Sequence, residues 1–294
     1  MFKISRFSYK TLQLQKYCTI AKLTSGNMSN ITIHQVLATL EEFAPKSLSE
    51  SWDNTGVLVE PYTPRNIKKI LLTNDLTEDV ALEADNQDCE MIISYHPPIF
   101  APMKSVKQSA WKERIVSFLL EKRIFLYSPH TSWDAVQGGV NDWLASAFPV
   151  GKSAPIIPGV DPKTGSGRFL RLEKSISVSN AVTRVKELTG LQYVRLALAR
   201  SKAMNEETLQ TIALCAGSGA SVLKNVSADL FLTGEMLHHD VLDATQKGIS
   251  VILTNHSDSE RGFLKDFSTC LQNELSNNVE VIVSKCDKDP LTTV

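Results

Sequence analysis

Met91-Ile92-Ile93-Ser94-Tyr95-His96-Pro97-Pro98 is a short apolar run that stops on a tyrosine, a histidine and two prolines. An apolar run of strand length, closed by a turn signal, suits a strand buried on both faces. Comparable runs occupy 69–72, 124–127, 230–233 and 249–254. Shorter or weaker ones occupy 56–59, 169–172, 194–198, 211–215 and 279–283. Helical stretches are expected between them, over 78–86, 111–121, 140–147, 180–188, 218–225, 236–247 and 259–275. Ahead of the first strand, Ile31, Ile33, Val36, Leu37 and Leu40 recur at helical spacing and predict a helix over 31–44. Strands alternating with helices argue an α/β fold. The stretch 151–168, with its prolines and glycines, reads as a linker between two regions, 28–150 and 169–294.

Composition sets the outer limits. The chain has 294 residues, 43% of them hydrophobic, and a formal net charge of −1. A chain this apolar and this neutral is not wholly disordered. None of its apolar runs approaches the ~18 residues of a membrane helix. No Lys/Arg cluster supplies the basic face that phosphate-backbone binding demands, which argues against direct nucleic-acid binding. The five cysteines are odd in number and none has CxxC spacing, so neither a zinc finger nor a disulfide framework is indicated.

The first 40 residues contain no Asp or Glu, but hold Lys3, Arg6, Lys10, Lys16 and Lys22 among several hydroxyls. That composition suits a mitochondrial transit peptide over residues 1–27. A disordered tail, with Met28 as an internal start and the protein in cytoplasm and nucleus, is the competing expectation.

The placement of the six histidines is more informative than their number. His34 lies within the first helix. His96, His130 and His256 each follow an expected strand, and so does Glu235, with His238 and His239 one turn on. In open α/β sheets ligands gather beyond the carboxyl ends of the strands, and imidazoles there are costly unless paired. His130 and Asp134 are four apart, as are His256 and Glu260, a spacing that brings side chains together on one helical turn. Imidazole with carboxylate suits Zn, Fe, Mn, Ni or Co. The same spacings also serve helix starts: Ser257-x-x-Glu260 reads as a capping box and Thr131-x-x-Asp134 as a similar cap. Gly217-Ser218-Gly219 lacks the Gly-Lys-Ser/Thr of a phosphate loop and reads as a tight turn, and Gly138-Gly139 reads as a hinge. Trp52, Trp111 and Trp143 suit core or interface positions.

These residues also carry a resemblance. Ser51-Trp52-Asp53-Asn54-Thr55-Gly56, Ser94-Tyr95-His96-Pro97-Pro98, His130-Thr131-Ser132-Trp133-Asp134 and Gly139-Val140-Asn141-Asp142 follow in order, then Ala216-Gly217-Ser218-Gly219, Ala228 to Glu235, and the His256/Glu260 segment. The set, from about residue 31 onward, resembles the GTP cyclohydrolase I type 2 family, also called the NIF-three-like family. It shares the Tyr-His-Pro-Pro form with the animal members. The resemblance implies two related α/β lobes with mixed sheets flanked by helices. It implies a metal site in the cleft between them, holding one or two divalent transition metals per chain, and a hexamer built as a trimer of dimers. The ligands it implies are His96, Asp134, His256 and Glu260, with His130 close by. Tyr95 stands where bacterial members carry a second histidine. A phenol, with a pKa near 10, ligates only after losing its proton. Two functions follow as expectations. One is a metal-dependent hydrolase acting on a nucleotide or other small polar substrate, with Tyr95 or His130 transferring protons. The other is a regulatory protein acting through a protein partner, for example in transcription, with a structural metal.

Overall fold

A computed structural model describes residues 30–200, 202–206 and 208–292. Residues 1–29, and with them the transit-peptide reading of 1–27, lie outside the described residues.

Helix α1 (Ile33–Phe43) opens the fold, with Thr32 as its cap in a reciprocal capping box with Gln35. β1 (Gly56–Val59), β2 (Lys69–Thr73), α2 (Glu78–Asn86), β3 (Met91–Ser94), α3 (Trp111–Lys122) and β4 (Phe125–Ser128) follow. Two short helices come next, α4 (Thr131–Ala135) and α5 (Val140–Ala145). The chain then forms β5 (Val150–Ala154), β6 (Ile157–Pro158), β7 (Gly165–Ser166), β8 (Arg168–Ile176), α6 (Val178–Thr189), β9 (Arg195–Ala197) and β10 (Leu209–Cys215). The last elements are α7 (Ala220–Leu223), β11 (Leu230–Thr233), α8 (His238–Gln246), β12 (Ser250–Leu253), α9 (Phe263–Glu274) and β13 (Glu280–Val283).

Two mixed sheets result. The first has the order β1-β4-β3-β2-β13, parallel throughout except for β1 at the edge. The second has the order β5-β8-β10-β11-β12-β9, with β10, β11 and β12 parallel and the outer strands antiparallel. The α/β expectation is met, and the strand lengths explain why it was legible. Parallel strands are covered on both faces and so read as continuous apolar runs.

Alternate residues of each strand face different cores. Ile70, Leu72, Met91, Ile93, Phe125 and Tyr127 of the first sheet share one core with Leu170, Ile212, Leu214, Leu230, Leu232 and Ile252 of the second. Residues from α1, α5, α6 and α9 lie in that same central cluster. The opposite faces of the sheets are covered by α2 and α3 on one side and by α7 and α8 on the other. The arrangement is therefore layered: helices, sheet, shared core, sheet, helices.

Two features depart from a division in chain order. The segment 151–168 is not a plain linker: β5 adds an edge to the second sheet beside β8, and β6 pairs with β7. Its glycines do specific work. Gly165 has φ +138°, and a Cβ there would collide with the carbonyl of Ile157. The last strand does not stay with the second sheet. β13 runs parallel to β2 in the first, with Val281 opposite Ile70.

Candidate metal centre

The carboxyl ends of the parallel strands of both sheets meet at one place. β2 delivers Asn74 and Asp75, β3 delivers Tyr95 and His96, and β4 delivers His130. From the second sheet β10 delivers Gly217, β11 delivers Glu235, and β12 delivers His256 and then Glu260. His130 and Asn255, just past β4 and β12, hold positive φ values of 36° and 67°. Non-glycine residues in this region cost energy and cluster at functional sites.

One donor atom each from His96, His256 and Glu260 lies within 4.8 Å of the other two. The Glu260 carboxylate is central and buried, 3% exposed. Its Oε2 stands 3.4 Å from His96 Nε2, and its Oε1 stands 3.5 Å from His256 Nε2. The other nitrogen of each ring is held by a carboxylate: His96 Nδ1 by Asp75 at 2.9 Å, His256 Nδ1 by Glu235 at 2.8 Å. A third pair repeats this, with His130 Nδ1 2.8 Å from Asp53. A carboxylate on the far nitrogen fixes the tautomer and orientation of a metal-ligating histidine and strengthens its lone pair. The His96 ring lies 5.4 Å from that of His130 and 5.2 Å from that of His256, centroid to centroid.

The donor set fits a metal ion. Ligands about 2.0–2.2 Å from an ion stand up to about 4 Å from one another, so a small inward movement of each closes this set. The backbone leaves room for it. Gly217 has φ +62°, and a Cβ there would collide with Glu260 Oε1 and lie 3.0 Å from His256 Nε2. Asn74, fully buried, donates to Glu260 Oε2 at 3.1 Å, while its own Oδ1 is buried without a hydrogen-bond partner among the described residues.

The electrostatics agree. Burial alone would lower the His96 pKa, but the charges of Glu260 and Asp75 outweigh it and raise the ring to about 10. Without an ion, His96 is therefore protonated at neutral pH. Burial opposes ionisation of Asp75 and Asp53 as well. Hydrogen bonds to their histidines hold both carboxyls below the usual range.

Asp134 and Tyr95 behave differently. The Tyr95 hydroxyl donates to Asp134 Oδ1 at 2.5 Å. Burial raises the Asp134 carboxyl to about 6, the Tyr95 bond opposing that rise and the Glu260 charge adding to it. Burial and the neighbouring Asp134 push the Tyr95 phenol well above 10. Asp134 is thus absent from the close donor group that joins His96, His256 and Glu260 among the described residues. His34, His238 and His239 are exposed and stand apart from that group.

The capping readings do not hold. Ser257 Oγ donates to Asp289, and the 3₁₀ turn Ser257–Ser259 has no side-chain cap. α4 has none either: Thr131 Oγ1 donates to Asp53 instead, at 2.5 Å. Asp53 and Asp75 escaped the sequence reading. Asp53 lies inside the Trp52-Asp53-Asn54 motif and Asp75 two residues past β2, so proximity to strand ends and motifs was the available signal.

Fold and site together define a two-sheet α/β protein whose strand ends present a His–His–Glu group backed by carboxylates. The chain belongs to the Duf34/NIF3 (NGG1p interacting factor 3) family, whose pattern matches residues 31–290. It is 49% identical to NIF3-like protein 1 of Drosophila melanogaster over 262 residues, 88% of each chain. It is 38% identical to NGG1-interacting factor 3 of Saccharomyces cerevisiae over 287 residues, 91% of this chain and 99% of that one. Among solved structures, a Bacillus cereus protein related to NIF3 superposes with a TM-score of 0.79 at 18% identity, over 90% of this chain and 100% of that one. At that identity the likeness speaks for the fold alone.

Proposed function

We propose that the chain is a metal-dependent hydrolase acting on a nucleotide or another small polar substrate at the His96–His256–Glu260 group. The observation that carries this reading is the convergence of those donors, each imidazole backed by its own carboxylate. Zn, Fe, Mn, Ni or Co suits such donors. Bound there, the ion supplies Lewis acidity and a more acidic water. His96, His256 and Glu260 hold it, with Asp134 as a further ligand once freed from Tyr95. His130, fixed through Nδ1 by Asp53, keeps Nε2 for proton transfer beside the group. Tyr95, donating to Asp134, supplies a second exchangeable proton.

The second reading is a regulatory protein with a structural metal, acting through a protein partner. The closed Tyr95–Asp134 pair favours it, and the yeast relative is named as an interacting factor of NGG1. Elemental analysis of chelator-free protein, together with a nucleotide-hydrolysis screen on metal-loaded protein, separates the two. Metal with turnover that fails on His130→Ala supports the hydrolase. Metal without turnover on any nucleotide or small phosphate ester supports the partner reading, and no metal after loading overturns both. Self-association into a hexamer and mitochondrial import are part of the proposal. Light scattering tests the first, and a fluorescent reporter carrying residues 1–30 tests the second.

A further inference from the structure

The tail beyond β13 reaches the site from the opposite end of the chain. Glu83 of α2 fixes its turn, accepting from Ser284 Oγ, from Lys285 N at 2.8 Å and from Cys286 N at 3.3 Å. Asp287 then points inward, its side chain 2% exposed. Its Oδ2 accepts from Asn74 N at 2.7 Å and its Oδ1 from Asp75 N at 3.4 Å. The same carboxylate lies 2.5 Å from Arg261 Nη1. Two residues on, Asp289 accepts from Ser257 Oγ at 2.7 Å, and Ser257 in turn accepts from Arg261 Nη2 at 2.7 Å.

Each group that Asp287 touches adjoins a residue of the donor group. Asn74 donates through Nδ2 to Glu260, and Asp75 holds His96 Nδ1. Arg261 directly follows Glu260. One buried carboxylate therefore ties the β2 end, which orients His96 and Glu260, to the segment 256–261, which supplies His256 and Glu260. A buried charge with these partners is costly to disturb, because its removal takes the carboxylate from Arg261 Nη1 and the acceptor from two backbone N–H groups.

We propose that Asp287 is a positioning residue for the metal group and that docking of the C-terminal tail is coupled to metal binding. The inference rests on the metal reading. Coupling free energy is reciprocal: a docked tail tightens the site, and an ion in the site tightens the tail. A partner that drew residues 284–292 away would thereby loosen the metal.

The test uses full-length protein and cobalt(II). Asp287→Ala, one bond further out than the groups whose loss costs about 10–100-fold in metal affinity, should weaken cobalt affinity about 3–10-fold and should alter the visible spectrum of bound cobalt. Asp287→Asn, which keeps an acceptor for Asn74 N–H but loses the charge facing Arg261, should fall between. Hydrogen exchange on the wild-type chain needs no variant: the amides of residues 74, 75 and 287 should exchange more slowly after cobalt is added. Variants with wild-type affinity and spectrum, or amides whose exchange ignores cobalt, overturn the coupling and leave the metal reading standing. Wild-type protein that takes up no cobalt overturns both.

Discussion

The two halves of the site solve the same problem in opposite ways. On one side, His96, His256 and Glu260 bring donor atoms within 4.8 Å, and without an ion they rely on a proton at His96 to offset the Glu260 charge. On the other, Tyr95 and Asp134 satisfy each other through a 2.5 Å hydrogen bond. The first half has donor atoms close enough to hold a cation. The second must break an internal bond before Asp134 can ligate. The difference comes down to one residue. An imidazole at position 95 would offer a lone pair at neutral pH, whereas a buried phenol held well above its ordinary pKa offers a proton.

The comparison breaks most decisively at the first half. His256→Ala combined with Glu260→Ala should abolish metal uptake, read by elemental analysis after dialysis against the metal. Full occupancy in the double variant would mean that the ion sits elsewhere.

Gly217→Ala should come next in size. Its added methyl collides with Glu260 Oε1, and the left-handed backbone at φ +62° adds about 1–2 kcal/mol of strain. Metal affinity should fall at least tenfold and the melting temperature should drop. An alanine variant that binds as wild type does would show that the Glu260 cradle is not the metal's position.

Substitution at 95 sharpens the second half. Tyr95→His should add a second metal of affinity comparable to the first. Tyr95→Phe should leave the tighter metal in place but strand the Asp134 carboxyl, costing about 1–3 kcal/mol in denaturant unfolding. Titration calorimetry on the three proteins decides it. If wild type already takes two ions equally at pH 6, or Tyr95→Phe loses both, this account of the position fails.

The smallest effect is a proton. In metal-free protein the His96 pKa is raised to about 10, above the ordinary value of about 6.5. The stability from its protonated form is complete below about 6.5 and is lost as pH rises through about 10. Metal-free protein should therefore melt at lower temperature at pH 10.5 than at pH 7. At pH 8, metal loading should release close to one proton from His96, measurable by calorimetry in buffers of different ionisation enthalpy. No proton release would place the ion away from His96.

Much of this was legible in the sequence. The runs at 91–95 and 230–233 read as buried strands because both faces of a parallel strand are covered, so local composition carries the signal. His96, His130 and His256 read as site residues because they follow such strands, and the edge where ligands gather is a property of the fold class. What could not be read was which ends meet, and what each side chain does once they do. Asn74 and Glu260, 186 positions apart, are joined by a hydrogen bond, and no local period encodes a contact of that range. β13 returned to the first sheet, where it pairs with β2, carrying Asp287 to the site. Strand alternation specifies two faces, not which neighbour will cover them. Ser257 and Thr131 fitted capping patterns, yet their hydroxyls found Asp289 and Asp53, carboxylates from distant segments. The sequence by itself determined most of the strands and helices and the residues at their ends, though not β5, β6, β7 or α4. The shared core of the two sheets decided which of those residues became one chemical group, because packing sets the distances over which imidazoles, carboxylates and protons interact.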